Sequence, residues 1–238
     1  MFWFFLGLLS CDISITSGNP PQIEIETTKD CLWSKTPKGL KKSRESSVAV
    51  SLYKGDDYFG GGSGNYFEYR GKRFILTAAH VVPDADMEIM IPERFGVDKR
   101  RAKVLFISRE RDIAILSLDQ DLQTVKPAKW RLKWYYDVDV GEELYFTGHP
   151  AELRYISSRG MVSAINHDVT VLQSFAWMGM SGSTVFDRRG RVVGILSAIK
   201  FDPMTTPLPQ YIESLVFISN ISSLIDNKTL WKLLNEET

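Results

Sequence analysis

The sequence predicts an all-β fold closed by one C-terminal helix, and three observations carry that prediction. Short β-rich runs follow one another from Ser47 onward: "VAVSLY", "GNYFEY", "KRFILTA", "MEIMI", "AKVLFI", "IAILSL", "ELYFTG", "VTVLQS" and "RVVGILSAI". Their branched and aromatic side chains suit a pleated, half-buried surface. Gly, Pro, Asp or Asn separate the runs, and this spacing favours a sandwich or barrel over alternating strand–helix units. The last segment, "NISSLIDNKTLWKLLNEE", instead places Ile221, Leu224, Leu230, Leu233 and Leu234 mostly at helical spacing.

Four segments follow from this pattern. Residues 1–11 form an apolar leader, "MFWFFLGLLS" ending at Cys11. It is too short for an ordinary span and matches the apolar region of an export signal, although no Lys or Arg precedes it. "LLSC" also resembles the lipid-attachment box of bacterial lipoproteins, with Cys11 as the acylated residue. A truncated membrane segment or a merely hydrophobic N-terminus are the competing readings. Export or membrane association through this segment is the expectation. Residues 12–45 are polar and broken by Gly, Pro and Ser, which predicts a flexible linker. Residues 46–225 form the β body, and residues 226–238 the C-terminal helix.

Composition narrows the function. Hydrophobic residues make up 44% and charged residues 24%, the balance of a globular domain. Lys plus Arg and Asp plus Glu are 29 each, so no overall basic field points to nucleic acid. The basic stretch "TPKGLKKSRESS" reads as solvated linker. Cys11 and Cys31 both precede the β body, so neither a disulfide framework nor a cysteine metal site is expected there. His80, His149 and His167 are too scattered for a metal cluster, and no cofactor is expected. His149 and His167 have no partner motif and read as turn or surface residues.

Three motifs carry chemistry, in the order His, Asp, Ser: "FILTAAHVV" around His80, "RDIAILSL" beginning beside Asp112, and "GMSGS" around Ser181. A serine hydroxyl needs a base to take its proton, and imidazole titrates near neutral pH. The imidazole in turn needs a carboxylate to fix its tautomer and stabilise the imidazolium. The oxyanion that develops needs preorganised donors, each worth about 3–4 kcal/mol. Gly179 and Ser181 can supply two converging backbone N–H groups if the loop curls, and Gly179 permits the curl. Glu110 and Asp119 are weaker substitutes for Asp112.

These motifs resemble the chymotrypsin-like serine proteases, and most closely the bacterial high-temperature-requirement branch. "GGGSGNYFEYRGKRFILTAAHVV" is similar to the family's strand pair leading to the catalytic histidine, and "RDIAILSLD" to its Asp-Ile-Ala-Val-Leu strand. "FTGHPAELRYISSRGMVSA" resembles its Gly-x-Pro turn and following strand, and "GMSGSTVFDRRGRVVGI" its nucleophile loop and hairpin. The resemblance covers residues 46–225. It implies two six-stranded antiparallel β-barrels with the site in the cleft between them, a trypsin-like serine protease domain. Where the family has Gly-Pro after the nucleophile's Ser-Gly, this chain has Ser183 and Thr184. Met180 replaces an acid that, in the digestive branch, pairs with a newly cut N-terminus, so activation by such a cut is not expected.

The resemblance also locates a substrate pocket, with Phe175 and Ala176 near its base and Ser197, Ala198 and Ile199 along its wall. "QSFAWM" holds no acid, so the expected side chain before the scissile bond is small or apolar. The expected function is a serine endopeptidase acting on protein or peptide substrates, with His80, Asp112 and Ser181 as its triad. Two alternatives keep the fold: a viral polyprotein-processing protease, and an inactive module that binds peptides.

Overall fold

The computed structural model describes residues 36–82, 87–95, 98–202 and 210–223. The leader with Cys11, most of the expected linker including Cys31, and the expected helix at 226–238 lie outside these residues. Strands dominate: β1 (Ser47–Lys54), β2 (Asp57–Tyr69), β3 (Lys72–Thr77), β4 (Glu88–Pro92), β5 (Lys99–Ser108) and β6 (Ile113–Leu118) build the first half of the body. A two-residue β7 (Ala128–Lys129) follows. The second half contains β8 (Glu143–Gly148), β9 (Ile156–Ile165), β10 (Val169–Gln173), β11 (Thr184–Asp187), β12 (Val192–Asp202) and β13 (Gln210–Asn220).

Each half closes on itself. The first sheet runs β1-β4-β5-β6-β3-β2, and pairing of β1 with β2 closes it into a six-stranded antiparallel barrel. The short β7 adds to the outside of β2 in parallel. The second sheet runs β10-β13-β12-β11-β8-β9 and is closed, again with antiparallel neighbours. Closure removes the sheet edges that would otherwise expose unpaired backbone groups. The expected pair of six-stranded barrels is therefore observed.

The apolar runs of the sequence fill the two interiors. Phe74, Ile75 and Leu76 of β3 and Ile113, Ala114, Ile115 and Leu116 of β6 are buried in the first core. Leu144, Phe146, Val162, Leu172, Val185, Leu196 and Ile218 fill the second. The barrels join through aromatic packing, with Phe186 of β11 stacked on Phe67 of β2 at 6.0 Å. Trp130, in the connection between barrels, meets Phe67 edge-on at 5.2 Å. Pairs of this kind stabilise by about 0.5–1.5 kcal/mol beyond their buried area.

Two segments differ from the sequence reading. The end of the expected linker is helical: α1 (Lys38–Ser46) packs against the second barrel. Its buried residues are Gly39, Ser43 and Ser46, a stripe of small residues rather than an apolar one. A Cβ on Gly39 would fall 2.0 Å from the Asp187 carbonyl oxygen, so the helix sits there by virtue of that glycine. The second segment is "ISS". Ile221, the first of the apolar residues at helical spacing, lies in a 3-10 turn, Ile221–Ser223, fully buried with Phe186 and Ile195.

Candidate active site

His80 and Asp112 come from the first barrel. The apolar β3 delivers its chain end to a tight turn at Ala79–Val81, where the fully buried Ala78 and Ala79 leave room for the chain to bend. His80 is the exposed residue of that turn, with about half its side chain accessible (49%). Asp112 precedes β6 with φ of 52°, a left-handed conformation that Asp tolerates better than most residues. The Arg109 guanidinium joins the two turns by donating to the carbonyl oxygens of Ala79 and Val82.

The Asp112 carboxylate accepts several donors. His80 Nδ1 lies 2.9 Å from Oδ1 and 2.8 Å from Oδ2, and the His80 backbone N–H donates to Oδ1 at 2.8 Å. The Ser197 hydroxyl, from β12 of the second barrel, donates to Oδ2. Burial pushes the Asp112 carboxyl up, but the hydrogen bonds from the His80 ring, Ser197 and the His80 N–H outweigh it and hold the group below its ordinary value. An ionised Asp112 that accepts a hydrogen bond from Nδ1–H leaves the lone pair of His80 on Nε2. Glu110 is exposed and faces Arg111, so it takes no part in this cluster.

Ser181 lies on a double turn from the second barrel. The Met180 N–H donates to the Trp177 carbonyl (3.0 Å), and the Ser183 N–H donates to the Met180 carbonyl (3.0 Å). The third residue of each turn is a glycine, Gly179 with φ of 93° and Gly182 with φ of 89°, the place that a type II turn reserves for one. This explains the spacing of the two glycines in "GMSGS". Gly182 also allows close approach, since a Cβ there would lie 2.0 Å from the Ser63 carbonyl oxygen and 2.3 Å from Thr77 Oγ1. The N–H groups of Gly179 and Ser181 donate to no acceptor among the described residues.

The two halves meet across Gly62 of β2. A Cβ on Gly62 would lie 2.6 Å from Val81 Cγ2, next to His80, and 2.8 Å from the Ser181 carbonyl oxygen. Ser63, one residue on, donates its N–H to that same carbonyl at 2.7 Å. Gly62 thus has the Ser181 carbonyl on one side and Val81, the neighbour of His80, on the other.

The expected pocket residues are distributed differently. Phe175 is 61% exposed and meets Trp177 edge-on at 5.0 Å, so its ring stands on the surface. Ala176 is buried in the second core. Ser197 spends its hydroxyl on Asp112 instead of lining a wall. Ala198 and Ile199 pair with Phe217 and Val216 on β13, and their side chains lie outside the described set. Met180 is buried in the second core, which accounts for an apolar residue where the digestive branch has an acid.

The remaining histidines divide. His167 is exposed beside Asp168, as expected of a surface residue. His149 is instead buried; its Nε2 donates to Ser47 Oγ at 3.0 Å, because the Ser47 hydroxyl is itself engaged with the Thr147 carbonyl. Burial, and then the nearby Arg154, Arg94 and Arg44, push its imidazole down to about 3, so it is neutral. Sequence reasoning missed two contributors to the site, Ser63 and His149, whose backbone contacts the Ser181 turn, and it placed Ser197 on a pocket wall rather than on Asp112. "GGGSG" was the one signal for Ser63. No group of three or more His, Cys, Asp or Glu capable of holding a metal occurs among the described residues.

The comparisons agree with this fold. The sequence profile of the trypsin-like peptidase domain matches residues 62–195. Among solved structures, the serine endoprotease from Yersinia pestis superposes with a TM-score of 0.63 at 18% identity, a likeness of fold. That match covers 83% of this chain and 66% of the endoprotease, just under two thirds of its length. No curated protein matches by sequence. With the profile spanning more than half of its residues, the chain belongs to the trypsin-like peptidase domain family.

Proposed function

We propose that the protein is a serine endopeptidase in which Ser181 is the nucleophile, His80 the general base and Asp112 its orienting carboxylate. The observation that carries this reading is the pairing of His80 Nδ1 with a half-buried, multiply hydrogen-bonded Asp112, with Val81 and the Ser181 carbonyl meeting across Gly62. Family membership and the fold shared with a serine endoprotease support it.

The chemistry follows from the groups present. Ser181 Oγ attacks the peptide carbonyl carbon while its proton passes to His80 Nε2. The carbonyl oxygen becomes an anion and takes hydrogen bonds from the N–H groups of Gly179 and Ser181. Collapse of the tetrahedral species breaks the C–N bond, and the amine leaves with the proton from His80. Water then attacks the acyl-enzyme by the same route in reverse roles. Asp112 stays ionised throughout and stabilises the imidazolium. For the residue before the scissile bond, an apolar side chain fits best, because no Asp or Glu occurs between Gln173 and Ser183 and a buried cation without a partner costs several kcal/mol.

Ser181→Ala tests the reading. The variant should fold as the wild type does, fail to cleave peptides and fail to react with an aryl phosphonate that labels the wild-type serine. Turnover close to wild type in the purified variant would rule out Ser181 and turn attention to Ser183.

A further inference from the structure

Ser63 is fully buried in β2, and each of its polar groups is engaged around the Ser181 turn. Its Oγ donates to the Gly179 carbonyl at 2.7 Å and accepts from the His149 N–H at 2.9 Å. Its N–H donates to the Ser181 carbonyl at 2.7 Å, and its carbonyl accepts from Thr77 Oγ1 at 2.7 Å. Resting on the peptidase reading above, we propose that Ser63 is a positioning residue for the oxyanion donors, acting through the backbone of the nucleophile turn.

The argument is an accounting of three peptide units. The unit joining Gly179 to Met180 is held at both ends, its carbonyl by Ser63 Oγ and its N–H by the Trp177 carbonyl. The unit joining Ser181 to Gly182 is also held at both ends, by the Ser63 N–H and the Leu196 carbonyl. Between them, the unit joining Met180 to Ser181 has its carbonyl held by the Ser183 N–H. Its remaining group is the Ser181 N–H, and that group is left to face a substrate oxygen, as is the Gly179 N–H.

The weak point of such a turn is Gly179. A glycine at positive φ has flanking peptides that rotate at the least steric cost. The Ser63 hydroxyl is the side-chain donor that fixes the Gly179 carbonyl, and so restrains the residue whose own N–H serves the oxyanion. A Ser63 without its hydroxyl keeps the backbone bond to Ser181 but releases Gly179. Geometry of this kind controls rate strongly, since misplacement by about 1 Å can cost on the order of 10²-fold.

The test uses the full chain, a peptide anilide with an apolar residue before the scissile bond, and the aryl phosphonate. Ser63→Ala should lower kcat by roughly 10- to 100-fold with KM nearly unchanged, and phosphonate labelling should slow in step. Thr170→Val is the control. It removes another fully buried hydroxyl, one that donates to Asn220 Oδ1 within the second barrel away from the turn, and should lower Tm without a comparable fall in kcat. A folded Ser63→Ala protein whose kcat matches that of the control overturns the proposal. If Ser63→Ala does not fold, Ser63→Cys keeps the shape of the side chain with a larger atom and a weak donor: a lowered kcat supports the assignment and a wild-type kcat overturns it. Wild-type protein that neither cleaves nor labels would instead sink the peptidase reading itself.

Discussion

The two barrels contribute to the site by different physics. The first barrel's half, His80 and Asp112, is held by side chains and charge: three donor groups converge on one carboxylate with little solvent access (19%). The second barrel's half, the Ser181 turn, is held by backbone hydrogen bonds and by two glycines at positive φ. The first half should therefore be sensitive to a change of charge at constant shape. The second should be sensitive to added atoms at constant charge. This difference also separates function from folding, because a carboxylate can be exchanged for an amide without steric conflict, whereas a methyl group on Gly182 has nowhere to go.

The largest effect expected is on the first half. Asp112→Asn keeps the size of the side chain but replaces an acceptor oxygen with a donor NH2, so His80 Nδ1 is no longer fixed as a donor. In a triad of this design the change lowers kcat by about 10⁴-fold with the geometry preserved. Measured kcat on a peptide anilide, together with an unchanged near-ultraviolet circular dichroism spectrum, checks it. A variant retaining a tenth of wild-type kcat would mean that charge does not organise this half.

The second expected effect tests the glycine half. Gly182→Ala forces a Cβ into the Ser63 carbonyl and Thr77 Oγ1 at a backbone angle that L-residues rarely adopt. Strain of this type costs about 1–3 kcal/mol, and the overpacking about as much again. Thermal unfolding should show Gly182→Ala clearly destabilised and more so than Gly179→Ala, whose nearest obstacle, the His149 carbonyl oxygen, is 2.9 Å from the added Cβ. Equal losses in the two variants would place the strain in φ alone and remove the role assigned to close packing against Ser63.

What the sequence made legible follows the same division. His80, Asp112 and Ser181 each sit in a local string whose small or apolar neighbours signal a turn or strand, and the structure pairs the first two strings directly through the His80–Asp112 hydrogen bonds. Contacts between strings were not legible. The Ser197–Asp112 hydrogen bond joins residues 85 apart, and a serine on a strand carries no mark of its distant partner. Ser63 was visible only as part of a glycine-rich run, whose reading as family pattern concealed what its hydroxyl does. Helix α1 was read as linker because its buried face is Gly39, Ser43 and Ser46, residues that signal turns when packing is unknown. Phe175, placed near the pocket base by the family resemblance alone, packs its ring on Trp177 at the surface. The β body was readable from its short branched and aromatic runs, whereas the pair of barrels came from the family resemblance, since strands such as β3 and β6 are buried as continuous runs.

The smallest expected effect concerns the support behind the turn, and it sharpens the contrast between a charged half and a neutral one. His149 packs edge-on against Tyr155 at 4.8 Å, with Arg44, Arg94 and Arg154 nearby, and Arg94 lies over the other ring at 4.4 Å. Burial, reinforced by those cations, keeps the imidazole neutral down to about pH 3. The unfolded chain protonates the same group near its ordinary value of 6.5. Below that value the unfolded state binds a proton that the native state does not. A folded-state value that is depressed therefore means stability is lost as pH falls, here from about 6.5 toward 3, at up to about 1.4 kcal/mol per pH unit. Asp112 adds its own loss only at lower pH, since its depressed value begins from 3.8. His149→Gln removes the titrating group while its amide can still donate to Ser47. Urea unfolding at a series of pH values should show a slope shallower by one proton between pH 6 and 4 in the variant, whatever its stability at pH 7. Identical slopes in the two proteins would mean that His149 is protonated in the native state, and the half of the site behind the nucleophile would then carry charge as the first half does.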